Sequence, residues 1–281
     1  MSGAGNALLA RALGGDSLFR ARVMAITSGK GGVGKTNVVA GLALALAELK
    51  QRVVIVDADF GLANLDILLG LSPVHTLESV LRGDRILEEI LVEGPRGIRI
   101  VPASSGIQEL TRLDDAGELR LVQGLQRVAE DADWLLIDTA AGVHDSVVKL
   151  LMAAQQVLLV ATPEPASLVD AYAVLKVMHL RDPEKPVRLL INNAQTAEEA
   201  QETALQLGLA TTRFLGRELR TLGAIPHDQA LLQAVREQRS VVEAYPESPS
   251  AKAFHALAHT LLDEVAWEPE RLPALWQQFH A

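Results

Sequence analysis

The sequence predicts an α/β fold, a three-layer, doubly wound and mostly parallel sheet flanked by helices. Three observations carry that expectation. Short apolar runs of strand length alternate with helix-periodic segments along most of the 281 residues, the pattern of successive βαβ units. Runs such as Val53-Val54-Ile55-Val56 and Trp134-Leu135-Leu136-Ile137 are apolar at every position, as in strands covered on both faces. Hydrophobic residues make up 49% of the chain and aromatics only 4%, so the expected core is aliphatic.

The elements follow in order. Val23–Ile26 is the first strand, and the apolar-periodic segment Asn37–Leu49 is a long helix. Val53–Val56 is the second strand, followed by short helices at Leu65–Leu69 and Thr76–Leu81. Ile98–Pro102, Trp134–Ile137, Val157–Ala161 and Val187–Ile191 are further buried strands. Leu119–Ala129, Ser146–Ala154 and Ala166–His179 are the helices between them. Ala197–Leu207 is polar and helix-favouring, which places it on the surface. Leu219–Ile225 is a last strand at the sheet edge, and Gln229–Arg236 and Ala251–Glu264 close the fold. The expected organisation is an N-terminal extension over 1–20, one globular domain over 21–265 and an amphipathic tail over 266–281.

Between the first strand and the first helix lies Ser28-Gly29-Lys30-Gly31-Gly32-Val33-Gly34-Lys35-Thr36. From Gly29 to Thr36 it matches G-x-x-x-x-G-K-[ST], in the strand–loop–helix setting that pattern needs. Gly29, Gly31, Gly32, Val33 and Gly34 supply backbone N–H groups to phosphate oxygens, and the helix N-terminus opening at Asn37 adds a favourable dipole. Lys35 reaches the β- and γ-phosphates, and the Thr36 hydroxyl is a Mg²⁺ ligand. Gly29, Gly31 and Gly34 also satisfy G-x-G-x-x-G, so a dinucleotide-binding oxidoreductase is the competing reading. It has no use for a Lys-Thr pair at the helix start, nor for the carboxylate Asp138 at the end of a later strand. A nucleoside triphosphatase accounts for both.

Lys30 has two readings, a solvated surface lysine or a side chain that crosses a dimer interface to the partner's phosphates, as an arginine finger does. Asn192-Asn193 ends a strand at the position where a base edge would be read. An amide offers donor and acceptor to adenine, and the guanine pattern [NT]-K-x-D is absent. ATP is therefore favoured over GTP. His255 and His259 stand four apart on a helix without a third ligand in sequence, which suits a helix face better than a metal site. The absence of cysteine excludes disulfides and thiolate metal sites. A net charge of -9 argues against broad contact with a nucleic-acid backbone. No apolar run reaches spanning length and residues 1–20 contain no signal-peptide core, so a cytoplasmic protein is expected, with peripheral contact at the inner membrane or cell pole.

The run Lys30-Gly31-Gly32-Val33-Gly34-Lys35-Thr36 resembles the deviant Walker A box of the MinD/ParA family, in the SIMIBI class of P-loop proteins. The resemblance continues through Asp57-Ala58-Asp59 (switch I), Asp138-Thr139-Ala140-Ala141-Gly142 (switch II) and Ile225-Pro226-His227-Asp228 (the loop beside the base). It implies a slow ATP hydrolase that dimerises on binding ATP. Lys30 then acts in trans, Lys35 and Asp59 are catalytic, and Thr36, Asp57 and Asp138 hold Mg²⁺. Asn37, Asn192, Pro226 and Asp228 contact the nucleotide. Ala140 stands where the family often has proline, which resembles the flagellar-number regulators of the FlhG/FleN type. Those regulators restrain an enhancer-binding flagellar transcription activator. They also stimulate an SRP-like flagellar GTPase through an N-terminal D-Q-A-x-x-L-R motif. Here Ala7 and Arg11 match it, Asn6 replaces Gln, and the Asp and the Leu are missing. Leu272, Leu275, Trp276 and Phe279 form an apolar stripe that resembles the family's membrane-targeting helix. A MinD-type division-site regulator and a ParA-like DNA-segregation ATPase are the alternatives.

Overall fold

The computed structural model describes residues 21–59, 64–103 and 115–263, and all structural statements concern these. The N-terminal extension, the C-terminal stripe and Phe60–Ala63 lie outside them. Eight strands form one sheet: β1 (Arg22–Thr27), β2 (Val53–Ala58), β3 (Val92–Glu93), β4 (Arg99–Val101), β5 (Trp134–Thr139), β6 (Gln156–Ala161), β7 (Val187–Ala194) and β8 (Arg220–Pro226). Their order is β3-β4-β2-β5-β1-β6-β7-β8. Every pairing is parallel except β3 with β4, and β8 is an edge strand.

Side chains alternate across the sheet, and both faces are buried. Val23 and Ala25 of β1 enter one core while Met24 and Ile26 enter the other; Val54 and Val56 oppose Val53 and Ile55 in the same way on β2. That two-sided burial is why these strands read as unbroken apolar runs. One layer contains α1 (Lys35–Glu48), α2 (Leu65–Leu68), α8 (Gln229–Arg236), α9 (Val241–Ala244) and α10 (Pro249–Asp263). The other contains α3 (Leu77–Leu81), α4 (Asp115–Glu130), α5 (Asp145–Ala153), α6 (Pro165–Arg181) and α7 (Ala197–Leu215). Helix α1 is buried along nearly its whole length, with the Phe254 ring of α10 against Gly41, where a Cβ would meet it at 2.6 Å.

The sheet departs from the sequence reading in its short pieces. β3 has two residues and α9 four, too few for a periodic pattern to register. Helix α7 runs eight residues beyond Leu207, to Leu215, before Gly216 ends it in a left-handed turn. Ala200, Thr203, Leu207 and Thr211 are buried on its inner face, so this helix is only half solvated.

Candidate nucleotide site

The loop after β1, the ends of β2 and β5 and the first turn of α1 meet at the carboxyl edge of the sheet, where open α/β sheets bind ligands. Gly34 precedes α1 with φ 88°, a left-handed conformation that a side chain strains. A Cβ there would also lie 2.5 Å from the Asn192 Nδ2 atom. Gly29 is required for a different reason: its Cβ would fall 2.1 Å from the Asp170 carbonyl carbon of α6. The loop is thus seated directly on the α6 backbone. No side chain caps α1 and its first turn holds no acidic residue. Its free N–H groups and positive dipole end are therefore available to an anion.

Asp57 and Asp138 are register partners on adjacent strands β2 and β5, and both are buried. Burial pushes the Asp57 carboxyl up to about 7, reinforced by Asp138, against N–H bonds from Asp59 and Leu65. Burial likewise raises Asp138 to about 6, opposed by the Lys35 cation and by a hydrogen bond from the Thr36 hydroxyl. The Asp138 Oδ1 atom is buried without a protein partner. An orphaned acceptor beside two carboxylates and a hydroxyl is a set of hard oxygen donors that fits Mg²⁺. Lys35 is buried beside this group. Asp59 lies just beyond the end of β2, its N–H donated to Asp57 Oδ1 at 3.1 Å.

A cavity of about 280 Å³ extends from the loop towards α8. Gly31, Gly32, Val33, Gly34 and Asn37 line it from the P-loop and α1, and Asn192, Pro226 and Asp228 line it from β7, β8 and the start of α8. Two of these residues spend their polar groups inside the protein. Asn192 is buried and donates one Nδ2 proton to the Val33 carbonyl at 2.7 Å, so part of its amide holds the loop. Asp228 accepts from Ala230 N at 2.9 Å, and from Ser250 N and Oγ at 3.0 and 2.6 Å. Its carboxylate caps α8 and ties it to α10, and the Ser250 bonds hold its pKa below the usual range despite burial.

Lys30 also lines this cavity, with Nζ 2.8 Å from Glu164 Oε2. The two are 43% and 64% exposed, so the pair is weak in energy and free to exchange partners. Glu164, Thr162 and the apolar residues of α8 line the cavity and were not legible as site residues. Thr162 lines the cavity with a buried, unpartnered hydroxyl. Asn193, at φ 63°, accepts from His227 Nδ1 at 2.8 Å. Leu231, Leu232 and Val235 form an apolar wall. The Pro226-His227 signal marked this loop; the others carry no pattern of their own. His255 bridges Glu48 at 2.8 Å and the Ala251 carbonyl at 2.9 Å, and so fastens α10 to α1.

Residues 24–241 match the family model described as the CobQ/CobB/MinD/ParA nucleotide binding domain. The antiactivator FleN of Pseudomonas aeruginosa is 46% identical over 242 residues, 86% of this chain and 86% of its own. The flagellum site-determining protein YlxH of Helicobacter pylori is 32% identical over 251 residues, 89% of this chain and 85% of its own. Among solved structures, the septum site-determining protein MinD of Pyrococcus horikoshii, complexed with Mg-ADP, superposes with a TM-score of 0.72 at 29% identity. That match covers 88% of this chain and 97% of the other.

Proposed function

The chain belongs to the CobQ/CobB/MinD/ParA family of nucleotide-binding proteins, and on that premise we propose that it is an ATP-hydrolysing dimerisation switch controlling flagellar number. One observation carries the chemistry: the uncapped N-terminus of α1, Lys35, Thr36 and the carboxylates of Asp57 and Asp138 converge at one edge of the sheet. The loop N–H groups hold the polyphosphate, and Lys35 neutralises its β- and γ-oxygens. Thr36, Asp57 and Asp138 would hold Mg²⁺, which would supply charge neutralisation when bound. Asp59 orients a water in line with the γ-phosphorus; the water oxygen bonds to phosphorus as the bond to the β–γ bridging oxygen breaks, giving ADP and phosphate.

Lys30 performs the switching step. In the single chain its ammonium is paired with Glu164. In an ATP-bound pair of protomers it leaves Glu164 for the phosphates across the interface. That exchange gives ATP its differential affinity for the dimer, without which no ligand can shift the equilibrium. The apolar wall of α8 and Pro226 hold the base, and the absence of [NT]-K-x-D favours adenine. The flagellar assignment is supported by the two relatives FleN and YlxH. The ATP dimer would restrain an enhancer-binding activator of flagellar genes and cooperate with an SRP-like GTPase that places flagella. No helix among the described residues is long and apolar enough to cross a membrane, so contact with the inner membrane or pole would be peripheral.

Two measurements test this. Lys30→Ala should bind ATP as a monomer but neither dimerise nor turn over; a full-strength dimer by light scattering would return Lys30 to a solvated role. A deletion strain should carry extra flagella. Normal flagellation with misplaced septa would favour a MinD-type division regulator, and mis-segregated DNA a ParA-like ATPase.

A further inference from the structure

Ser28 is fully buried at the end of β1 and does not line the nucleotide cavity among the residues that do. It nevertheless makes two bonds in opposite directions. Its carbonyl accepts the Gly142 N–H at 2.8 Å, and its hydroxyl donates to the Lys30 carbonyl at 2.8 Å. The segment Thr139–Gly142 is fastened to the same strand end at its other limit, where the buried Thr139 hydroxyl donates to the Ile26 carbonyl at 3.0 Å. Gly142 itself has φ 95°, so the direction of its N–H is fixed by a conformation that few other residues adopt. One serine therefore joins the loop that follows Asp138 to the backbone of Lys30.

Resting on the switch reading above, we propose that Ser28 is a positioning residue that couples the Thr139–Gly142 loop to Lys30 and thereby sets the loop for dimerisation. The loop lies beside Asp138, where the γ-phosphoryl group and its cation would be sensed. A shift there changes the Gly142–Ser28 bond. The Ser28 hydroxyl passes the change to the Lys30 carbonyl, and the side chain of Lys30 turns from Glu164 towards a second protomer. Without the hydroxyl, the Lys30 backbone is free to sample other conformations. Apparent dimer affinity then falls by the fraction of competent loop. Because the hydroxyl is buried on the Lys30 carbonyl and lies outside the cavity lining, binding of nucleotide to the single chain is spared.

The test compares Ser28→Thr with Ser28→Val, which share a shape and differ in the hydroxyl, and adds Ser28→Ala, which cannot overpack the site. Affinity for a fluorescent ADP analogue reports the single chain, light scattering with ATP reports the dimer, and steady-state kinetics separates kcat from KM. Ser28→Val and Ser28→Ala should bind ADP within about twofold of wild type, yet show roughly tenfold weaker ATP-dependent dimerisation. Their kcat should fall in parallel while KM stays within about twofold. Ser28→Thr should restore dimerisation. Where Thr and Val both lower the melting temperature, Ser28→Ala alone decides. Wild-type dimerisation and turnover in Ser28→Ala would overturn the coupling, as would an ADP affinity that falls in step with dimerisation. A wild-type protein that binds ADP but stays monomeric with ATP would overturn the switch itself, and Ser28 with it.

Discussion

The two ends of the nucleotide cavity are built from different materials. At the phosphate loop the groups on offer are backbone N–H donors, with the buried side chains Lys35, Asp57 and Asp138 grouped at the adjoining helix start and strand ends, fixed by a left-handed glycine and by the α6 backbone. At the other end lie Asn192, Asn193, Pro226 and an apolar wall from α8, and the polar groups there mostly serve the protein. Asn192 holds the P-loop, Asn193 is held by His227, and Asp228 caps α8 and ties it to α10. The contrast follows from the ligand. A polyphosphate is highly charged and must be met by preorganised opposite charge, whereas a base is flat and weakly polar, so shape and a few hydrogen bonds suffice.

This comparison predicts a ranking of mutational effects. The largest belongs to Lys35→Ala, which leaves a desolvated polyphosphate without its cation. ATP affinity should fall by about 100-fold or more, measured by calorimetry with Mg²⁺ present. An unchanged affinity would mean that the phosphate end is not where the nucleotide is held.

Asp59→Ala should come next and should separate binding from chemistry. ATP and Mg²⁺ bind as before, while hydrolysis slows by roughly 10² to 10³ because the attacking water is no longer oriented. Dimers should accumulate in light scattering. A variant that hydrolyses at the wild-type rate would move the water-orienting role to another residue.

Asn192→Ala sharpens the division between the two ends. Since the Asn192 amide donates to Val33, its loss should disturb the phosphate loop and weaken ATP and GTP alike by about five- to tenfold. If Asn192 reads the base instead, ATP binding should weaken selectively and discrimination against GTP should narrow. Competition between the two nucleotides distinguishes the cases.

The smallest effect is on stability. Asp57 and Asp138 are raised to about 7 and about 6 from an ordinary value near 3.8, so the folded nucleotide-free protein binds these protons more tightly than the unfolded chain does. Stability from these two groups is therefore greatest at low pH and is lost as pH rises from about 4 to about 7. The melting temperature of the nucleotide-free protein at pH 7.5 should rise by about 2–4 °C in Asp138→Asn, which removes a buried charge. No change in thermal scanning, or a fall, would show that Asp138 is compensated in the absence of ligand.

The phosphate end was readable because its chemistry is local. Gly29 to Thr36 is one contiguous segment whose glycines, lysine and threonine each answer a requirement of phosphate, and the apolar runs before Asp57 and Asp138 show that strands deliver both carboxylates. Their adjacency came from the topology. β2 and β5 are separated by about 80 residues of sequence, and only the order β2-β5-β1 makes the two aspartates partners beside Lys35. The base end was less readable because amides, histidines and leucines have many uses. Asn192 lines the cavity and also holds the Val33 carbonyl, a second use that no local pattern records.

What the sequence by itself determined is the class of sheet, the phosphate-loop motif and the strands that carry Asp57 and Asp138, because periodicity and contiguous motifs are imposed by backbone geometry over a few residues. Tertiary structure alone decided which partner each polar group takes. Lys30 meets Glu164, 134 positions away; Gly29 is glycine because α6 leaves no room for a Cβ; and Ser28 links Lys30 to Gly142 across more than a hundred residues. Such contacts depend on packing between distant elements, where the same residue type satisfies its hydrogen bonds equally well in many surroundings, and no local pattern records the choice.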